Sequence, residues 1–214
     1  MQAVALSSPS ETIHVQTDTI GLTALALVMI AWMIFGLAFV LRHQISKAHS
    51  TGDESGAKYG PESKWGIALQ SVAFAAIWLT PRHNWWALPP SQSAEIVLAV
   101  LAVLLAYASA FLCLRSVQTL GKQWTYQARV LKNHDLITQG PYSIVRNPIY
   151  LGMFGMILST GLVFSHWWLA LIAIVFFLVG NQIRIRAEEK LLRETFGEKF
   201  YEYAARVPAF IPFT

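Results

Sequence analysis

Two long apolar stretches without a charged residue restrict what this chain can fold into more than any other feature. Ile20–Leu41 is a run of 22 residues and Ile96–Leu114 is a run of 19. At a helical rise of about 1.5 Å per residue, each run is long enough to cross a hydrocarbon layer of about 30 Å. Both runs therefore predict transmembrane helices.

Three shorter apolar segments, Trp65–Thr80, Ile149–Phe164 and Trp167–Val179, predict further spans that need flanking aromatic residues or local thinning of the bilayer. Only 13% of the residues are charged, whereas about a quarter is usual in soluble domains. The sequence thus predicts an all-α integral membrane protein with about five transmembrane helices. Because only Ser165 and His166 separate the last two spans, these should form an antiparallel helical hairpin.

The pattern changes after Asn181, where apolar residues recur at helical spacing with charges between them. This pattern predicts a cytoplasmic amphipathic helix at Gln182–Val207, followed by an extended tail. Three regions result: a mobile N-terminal segment at 1–19, three transmembrane helices at 20–114, and a region at 115–214 with the last two spans and the terminal helix.

The basic residues predict the orientation of these spans. Every Lys and Arg except Arg82 lies in 42–64, 115–146 or 184–206, three segments on the same side of a five-span chain. The excess of Lys and Arg in cytoplasmic segments then places the N-terminus outside and the C-terminus in the cytoplasm, in a plasma or inner membrane. The net charge of +4 is explained by this topology and by anionic lipid, so no nucleic-acid partner is expected.

The N-terminus and the cysteine content allow two further expectations. The first 19 residues contain no Lys or Arg, which does not fit the basic start of a cleaved signal, so the first span should be an uncleaved anchor. Cys113 is the only cysteine. One cysteine forms neither a disulfide nor a thiolate metal site within one chain, and no metal site is expected.

A polar motif runs directly into the fourth span at His134–Gly152. Pro148 suits the first turn of a helix, where its missing N–H would have no partner anyway. Considered alone, Arg146 has the ordinary interpretation of a basic side chain that reaches the membrane surface. Tyr142 and Tyr150 are similarly typical of the membrane interface.

A second group of charges lies at the start of the terminal helix. Glu189 falls in the apolar stripe of that helix, where a carboxylate without a cation would be costly. Arg193, four residues later, is its simplest partner, and Arg184 with Glu188 forms a second pair at the same spacing. Spacing alone favours structural ion pairs.

Together, the two groups resemble the isoprenylcysteine carboxyl methyltransferase family and its relatives among integral-membrane methyltransferases. The resemblance covers about residues 118–213. The first matching block comprises His134, Leu136, Gly140, Tyr142, Arg146, Pro148, Tyr150 and Gly152. The second comprises Arg184, Glu188, Glu189, Leu191, Phe196, Gly197, Tyr203 and Val207.

Two positions depart from the family pattern. Asn147 stands where the family usually has histidine, and Phe200 replaces a tyrosine. Asn147 does not titrate, so any cofactor contact at this position must be a neutral hydrogen bond.

The resemblance implies that S-adenosylmethionine binds at the cytoplasmic end of the last helices and that 115–214 is a cofactor-binding methyltransferase region. The residues implied to bind the cofactor are His134, Leu136, Gly140, Tyr142, Arg146, Asn147, Pro148, Tyr150, Glu188 and Glu189. The catalytic candidates are Arg184, Glu189 and Arg146. Among them, Arg184 is assigned to the acceptor's carboxylate and Glu189 to the ammonium group of the cofactor.

The acceptor implied by the resemblance is lipophilic, enters from the bilayer, and most resembles the carboxylate of an isoprenylcysteine. Three alternatives stay open: a phospholipid or small-amine N-methyltransferase, an NADPH-dependent membrane reductase of the sterol type, and a non-catalytic scaffold. The oligomeric state is left open as well.

Overall fold

The computed structural model describes residues 9–49, 58–59, 62–79, 92–121, 129–130 and 135–211. His134, Arg82 and residues 1–8 lie outside this part of the chain, and so do the predictions made for them. Six α-helices make up most of the described residues: α1 (Pro9–His49), α2 (Ser63–Leu79), α3 (Gln92–Leu120), α4 (Pro148–Val163), α5 (Trp167–Phe196) and α6 (Glu198–Arg206). Two-residue strands in the loops, β1 (Lys58–Tyr59) and β2 (Arg129–Val130), pair antiparallel.

Each of the five predicted apolar segments is helical over nearly all of its described residues. Three helices contain stretches long and apolar enough to cross a membrane, namely Thr19–Leu41, Ser93–Leu120 and Trp167–Phe196. Helix α4 is apolar but has only 16 residues, and α2 has 17. Large apolar side chains on the long helices, such as Met33, are exposed on the outer face of the bundle. Such surfaces suit lipid and not water, and the chain is an integral membrane protein.

The helices pack in the order α1, α3, α4, α5 and α2. Helix α3 lies between α1 and α4, and α5 lies between α4 and α2. A hydrogen bond of 2.9 Å from the indole nitrogen of Trp32 to the hydroxyl of Thr160 joins α1 directly to α4. Residues distant in sequence therefore meet around α4 and α5.

Helices α4 and α5 form the predicted antiparallel hairpin. Near the turn, a Cβ atom added at Gly161 would lie 3.1 Å from the Cβ atom of Ala170. Farther along, the Phe154 and Phe177 rings stack with their centroids 5.8 Å apart. At the open end of the hairpin, Tyr150 meets Arg184. This end brings the two motif blocks together.

The predicted separate amphipathic helix at Gln182–Val207 is wrong in its start. Helix α5 continues through Asn181 without a break and ends at Phe196. Gly180 and Asn181 are weak helix formers, but Gly180 packs closely against α2 and the Asn181 side chain is buried in the bundle, so tertiary contacts keep this stretch helical. The break comes at Gly197, whose φ of +51° is a conformation that glycine adopts easily. Helix α5 also extends the apolar fifth span beyond Val179.

At the N-terminus, the helical region is larger than expected. Helix α1 begins at Pro9, so the second half of the segment predicted to be mobile is helical.

Helices α2 and α5 approach closely because glycines face each other. A Cβ atom added at Gly66 would lie 2.6 Å from the carbonyl oxygen of Gly180, and one added at Gly180 would lie 2.8 Å from that of Gly66. Helices α3 and α4 meet in a similar way, since a Cβ atom at Gly152 would lie 2.8 Å from the Ser109 carbonyl oxygen. These small residues bring helices of the same chain together.

Substitution of Gly66 by alanine should destabilise the bundle, because the new methyl group has backbone atoms on the opposite helix as neighbours. We expect a loss of about 1–3 kcal/mol, measured as a lower melting temperature in detergent. Gly36→Ala is the matched control, since a Cβ atom there has no neighbour within 4 Å. Equal melting temperatures for the two variants would contradict the close contact.

Candidate functional site

The first motif block folds as a tight turn followed by the start of α4. Gly140 begins a short 3-10 helix, Gly140–Ser143, with a φ of +62°. A Cβ atom there would be strained and would lie 3.2 Å from the hydroxyl oxygen of Thr119. Pro148 is the first residue of α4, as predicted. The turn places Arg146 and Asn147 against the last helices.

The carboxylate of Glu189 lies between two guanidinium groups. Its Oε1 accepts a hydrogen bond of 2.8 Å from Arg146 Nε, and its Oε2 lies 2.8 Å from a terminal nitrogen of Arg193. The Glu189 side chain is 7% exposed and that of Arg146 is 13% exposed, whereas that of Arg193 is 46% exposed. The Glu189–Arg193 pair predicted from spacing is therefore present, and Arg146 adds a second cation.

Arg146 and Asn147 also hold the C-terminal tail. A terminal nitrogen of Arg146 donates to the carbonyl oxygens of Ala204 and Val207. The backbone N–H of Arg146 donates to the carbonyl oxygen of Pro208, at 2.8 Å. Asn147 Nδ2 donates to the carbonyl oxygen of Ala209, also at 2.8 Å. The motif and the tail are thus joined through backbone carbonyl groups that sequence patterns do not reveal.

Tyr203 on α6 also contacts the motif turn. Its hydroxyl donates a hydrogen bond of 2.6 Å to the carbonyl oxygen of Tyr142. Burial raises the pKa of Tyr203 to about 12, although the nearby Arg146 cation opposes this shift. Burial also raises the pKa of Tyr142 well above its usual value, and the charge of Glu188 adds to the effect. Both phenols therefore stay protonated at neutral pH, and Tyr203 remains a donor.

A second polar group lies where α2, α4 and α5 meet. The hydroxyl of Tyr150 donates to the carboxylate of Glu188, and a terminal nitrogen of Arg184 lies 3.6 Å from the same oxygen. The Arg184 guanidinium lies over the Tyr150 ring, 4.9 Å from its centre, a cation–π arrangement. Another terminal nitrogen of Arg184 donates to Gln70 Oε1, at 3.2 Å. We refer to Gln70, Tyr150, Arg184 and Glu188 as the polar layer.

An aromatic layer closes the polar layer on the side of the apolar bundle. Phe177 lies seven residues before Arg184 on α5 and packs against Phe74 of α2 and Phe154 of α4. Phe74 and Phe154 are each four residues beyond a member of the polar layer. The aromatic layer thus lies directly beside the polar layer, and both are formed by α2, α4 and α5.

The structure brings most of the predicted site residues to this end of the bundle. Glu188 is half-buried beside Tyr150, and Glu189 faces the tail. Leu136 precedes the turn and is half-buried, and Gly140 begins it and is exposed. His134 lies outside the described residues. Gln70 of the polar layer was not predicted from the sequence, although a single amide within an apolar span could have indicated it.

The exposure of the two adjacent carboxylates indicates which one a cationic ligand can reach. Both oxygens of Glu189 already accept from arginines, and its side chain is 7% exposed. The Glu188 side chain is 29% exposed. A carboxylate with one face open beside a phenol and a guanidinium fits a ligand that carries an ammonium or sulfonium charge. The residues present therefore fit S-adenosylmethionine.

Replacement of Arg146 by alanine should lower the melting temperature strongly. Glu189 would lose its more buried cation, and the carbonyl groups of Ala204 and Val207 would lose a donor. Removing one partner of a buried ion pair costs about 3–5 kcal/mol. Arg206→Ala is the matched control, because Arg206 is exposed and bonds only a carbonyl of its own helix among the contacts described.

A smaller loss is expected for Arg193→Ala, since the Arg193 side chain is half exposed and water can replace part of its contact. Equal melting temperatures for the Arg146 and Arg206 variants would show that the tail does not depend on Arg146. Circular dichroism on heating in detergent measures all three.

The chain is similar in sequence to several known proteins. Residues 97–199 match the phospholipid methyltransferase family. The cobalt-zinc-cadmium resistance protein CzcN of Cupriavidus metallidurans is 36% identical over 99 residues, 45% of each chain. The nickel-cobalt-cadmium resistance protein NccN of Alcaligenes xylosoxydans xylosoxydans is 31% identical over 149 residues, 69% of this chain and 62% of that protein.

Protein-S-isoprenylcysteine O-methyltransferase B of Arabidopsis thaliana is 32% identical over 103 residues, 46% of this chain and 51% of that protein. The chain thus spans about half the length of the curated relatives it matches.

Within the residues that the structure describes, no group of three or more His, Cys, Asp or Glu is arranged to hold a metal ion. The resemblance to isoprenylcysteine methyltransferases is confirmed, because residues 97–199 match the phospholipid methyltransferase family and several relatives are named protein-S-isoprenylcysteine O-methyltransferases.

Proposed function

We propose that the chain is an integral-membrane methyltransferase that transfers the methyl group of S-adenosylmethionine to the carboxylate of a lipophilic acceptor. The family match covers most of α3, the motif turn, α4 and α5. Several relatives are named protein-S-isoprenylcysteine O-methyltransferases. An isoprenylcysteine-like carboxylate is therefore the acceptor we favour.

The observation that carries this proposal is the partly exposed carboxylate of Glu188 in the polar layer. Its neighbours are the Tyr150 hydroxyl and the Arg184 guanidinium. A cationic cofactor and an anionic acceptor need a carboxylate and a cation side by side, and the polar layer offers both. The apolar outer surface of the bundle supports entry of the acceptor from the bilayer.

We assign the ammonium group of the cofactor to Glu188 in preference to Glu189, the residue favoured by the sequence. Both oxygens of Glu189 are bonded to arginines, and exchanging them for a ligand would release the tail. Residues of the first motif block are also proposed to line the cofactor site. They are Leu136, Gly140, Tyr142, Asn147, Pro148 and His134. Glu189 and Arg146 then support the site by positioning the turn.

S-adenosylmethionine supplies an activated methyl group for an in-line displacement. A carboxylate acceptor is already ionised at neutral pH, so no general base is needed. The chain's contribution is alignment and exclusion of water around the reacting atoms. Arg184 is assigned to hold the acceptor's carboxylate, since it is a cation enclosed by Tyr150 and Gln70.

The proposed topology has five spans, with the polar layer at the cytoplasmic side and the N-terminus outside. The asymmetric distribution of Lys and Arg supports this orientation. The polar layer and the tail share the end of the hairpin that is opposite to the short turn between α4 and α5. Cytoplasmic S-adenosylmethionine would then reach the site directly.

A lipid amine is the second candidate acceptor, favoured by the match to a phospholipid methyltransferase family. An amine must lose a proton before it attacks, so the rate would rise with pH through neutrality. A carboxylate acceptor has no such dependence in this range. The pH profile of turnover separates the two.

The test is transfer of a tritiated methyl group from S-adenosylmethionine to a panel of prenylcysteine analogues, thiols and lipid amines. We expect transfer to the carboxylates. Arg184→Ala should lower turnover by about 10- to 100-fold and change cofactor affinity less, because the loss of a charged hydrogen bond costs about 1.5–3 kcal/mol. Arg186→Ala, on an exposed neighbouring position of the same helix, is the control.

Equal losses of turnover and cofactor affinity in the Arg184 variant would refute the assignment of Arg184 to the acceptor. Absence of transfer to every member of the panel by the wild-type protein would refute the proposed function itself.

A further inference from the structure

The C-terminal tail, described by the structure at residues 207–211, lies against the start of α4. The backbone N–H of Arg146 donates to the Pro208 carbonyl oxygen just before the helix begins. Farther on, the ring of Phe210 packs against that of Phe154, with centroids 5.9 Å apart. Phe154 is six residues into α4, about 9 Å along the axis from its first residue. The tail therefore runs beside the first two turns of α4 and not away from the bundle.

Helix α4 is too short to bridge a typical bilayer by itself. Its 16 residues span about 24 Å, whereas the hydrocarbon core is about 30 Å thick. A span shorter than the core brings the residues that flank it close to the hydrocarbon, even where the bilayer thins around it. The tail, which lies beside the first turns of α4, is therefore placed at the level where the acyl chains begin.

The residues of the tail suit this level of the bilayer. Residues 207–214 contain no charged side chain, and Pro208 has no N–H that could be left without a partner. Ile211 is 56% exposed, as large apolar side chains are on the outer face of the bundle. An isoleucine that is exposed beside a membrane span is more stable against lipid than against water.

The backbone of the tail is paired by the protein. Three consecutive carbonyl groups, those of Val207, Pro208 and Ala209, accept hydrogen bonds from the motif turn. Their donors are the side chain and backbone N–H of Arg146 and the side-chain amide of Asn147. Since hydrocarbon offers no water to replace these donors, an irregular segment is tolerated at that depth only where the protein pairs its backbone. The motif turn provides this pairing.

We infer that residues 207–211 form a short membrane-embedded segment, with its backbone paired to the motif turn and Ile211 in contact with lipid acyl chains. The partner is the bilayer itself, so the inference is independent of the reaction that the site catalyses. It requires that α4 lie within the bilayer. Because Arg146 binds both the tail and Glu189, contact of the tail with lipid also helps to hold the motif turn against α5.

The test is electron paramagnetic resonance of a nitroxide at residue 211, in vesicles of phosphatidylcholine and phosphatidylglycerol. Cys113 is the only cysteine and is buried, so Ile211→Cys in a Cys113→Ala protein is labelled at one position. Molecular oxygen concentrates in hydrocarbon, whereas a nickel chelate stays in water. We expect oxygen to relax the label more strongly than the chelate does, as for Met33→Cys on the outer face of α1. Glu202→Cys, at an exposed polar position of α6, should show the reverse.

Asn147→Leu should move the label at residue 211 toward water, because the Ala209 carbonyl group loses its donor. We expect the population of the displaced tail to rise about fivefold or more, measured as greater relaxation by the nickel chelate. Ser143→Ala is the matched control, since Ser143 is exposed in the same turn and bonds only the Gly140 carbonyl among the contacts described.

Two results at residue 211 would overturn the inference. Relaxation by the nickel chelate as strong as at residue 202 would show that the tail lies in water. A label that neither reagent reaches would show that protein, such as a second copy of the chain, covers Ile211. Both results are obtained with Asn147 intact, so they hold even if Asn147→Leu does not fold. Unchanged relaxation in a folded Asn147→Leu protein would overturn the part assigned to the paired carbonyl groups.

Discussion

The buried carboxylate of Glu189 is the contact on which the arrangement at this end of the bundle depends. It joins α5 to the motif turn through Arg146, and Arg146 in turn joins both to the carbonyl groups of the tail. A carboxylate in the apolar stripe of a helix is costly unless cations surround it. Because two arginines do so here, the turn, α5 and the tail adopt one mutual position.

The adjacent carboxylates on α5 face different surroundings because successive residues of a helix point about 100° apart. Glu189 faces the tail, and Glu188 faces the polar layer. Two identical side chains thus have different surroundings: Glu189 is paired with two arginines, whereas Glu188 is partly exposed, and this is why we propose Glu188 as the carboxylate that meets the cationic cofactor. The aromatic layer below them separates the polar layer from the apolar bundle.

Local patterns predicted the helices well and their tertiary contacts only partly. The apolar runs, the tight turn at Ser165 and the pairing of Glu189 with Arg193 were all predictable, because each depends on residues close in sequence. The continuity of α5 was not, since the change in composition at Asn181 resembles a helix boundary although nothing there breaks the backbone. Contacts between α2 and α5, including that of Gln70, depend on which helices become neighbours, and no spacing rule specifies this.

The division of roles between the two carboxylates is tested most directly by melting temperatures of Glu188→Gln and Glu189→Gln proteins with and without S-adenosylmethionine. Glu189→Gln should lower the melting temperature without cofactor, because Arg146 and Arg193 lose their anion. Glu188→Gln should lower that temperature less, because Glu188 is 29% exposed and its contact with Arg184 is 3.6 Å. It should lose most of the stabilisation by the cofactor, which is about 2.7 kcal/mol at 100 times the dissociation constant. A Glu189→Gln protein that keeps its melting temperature but no longer responds to the cofactor would contradict this account.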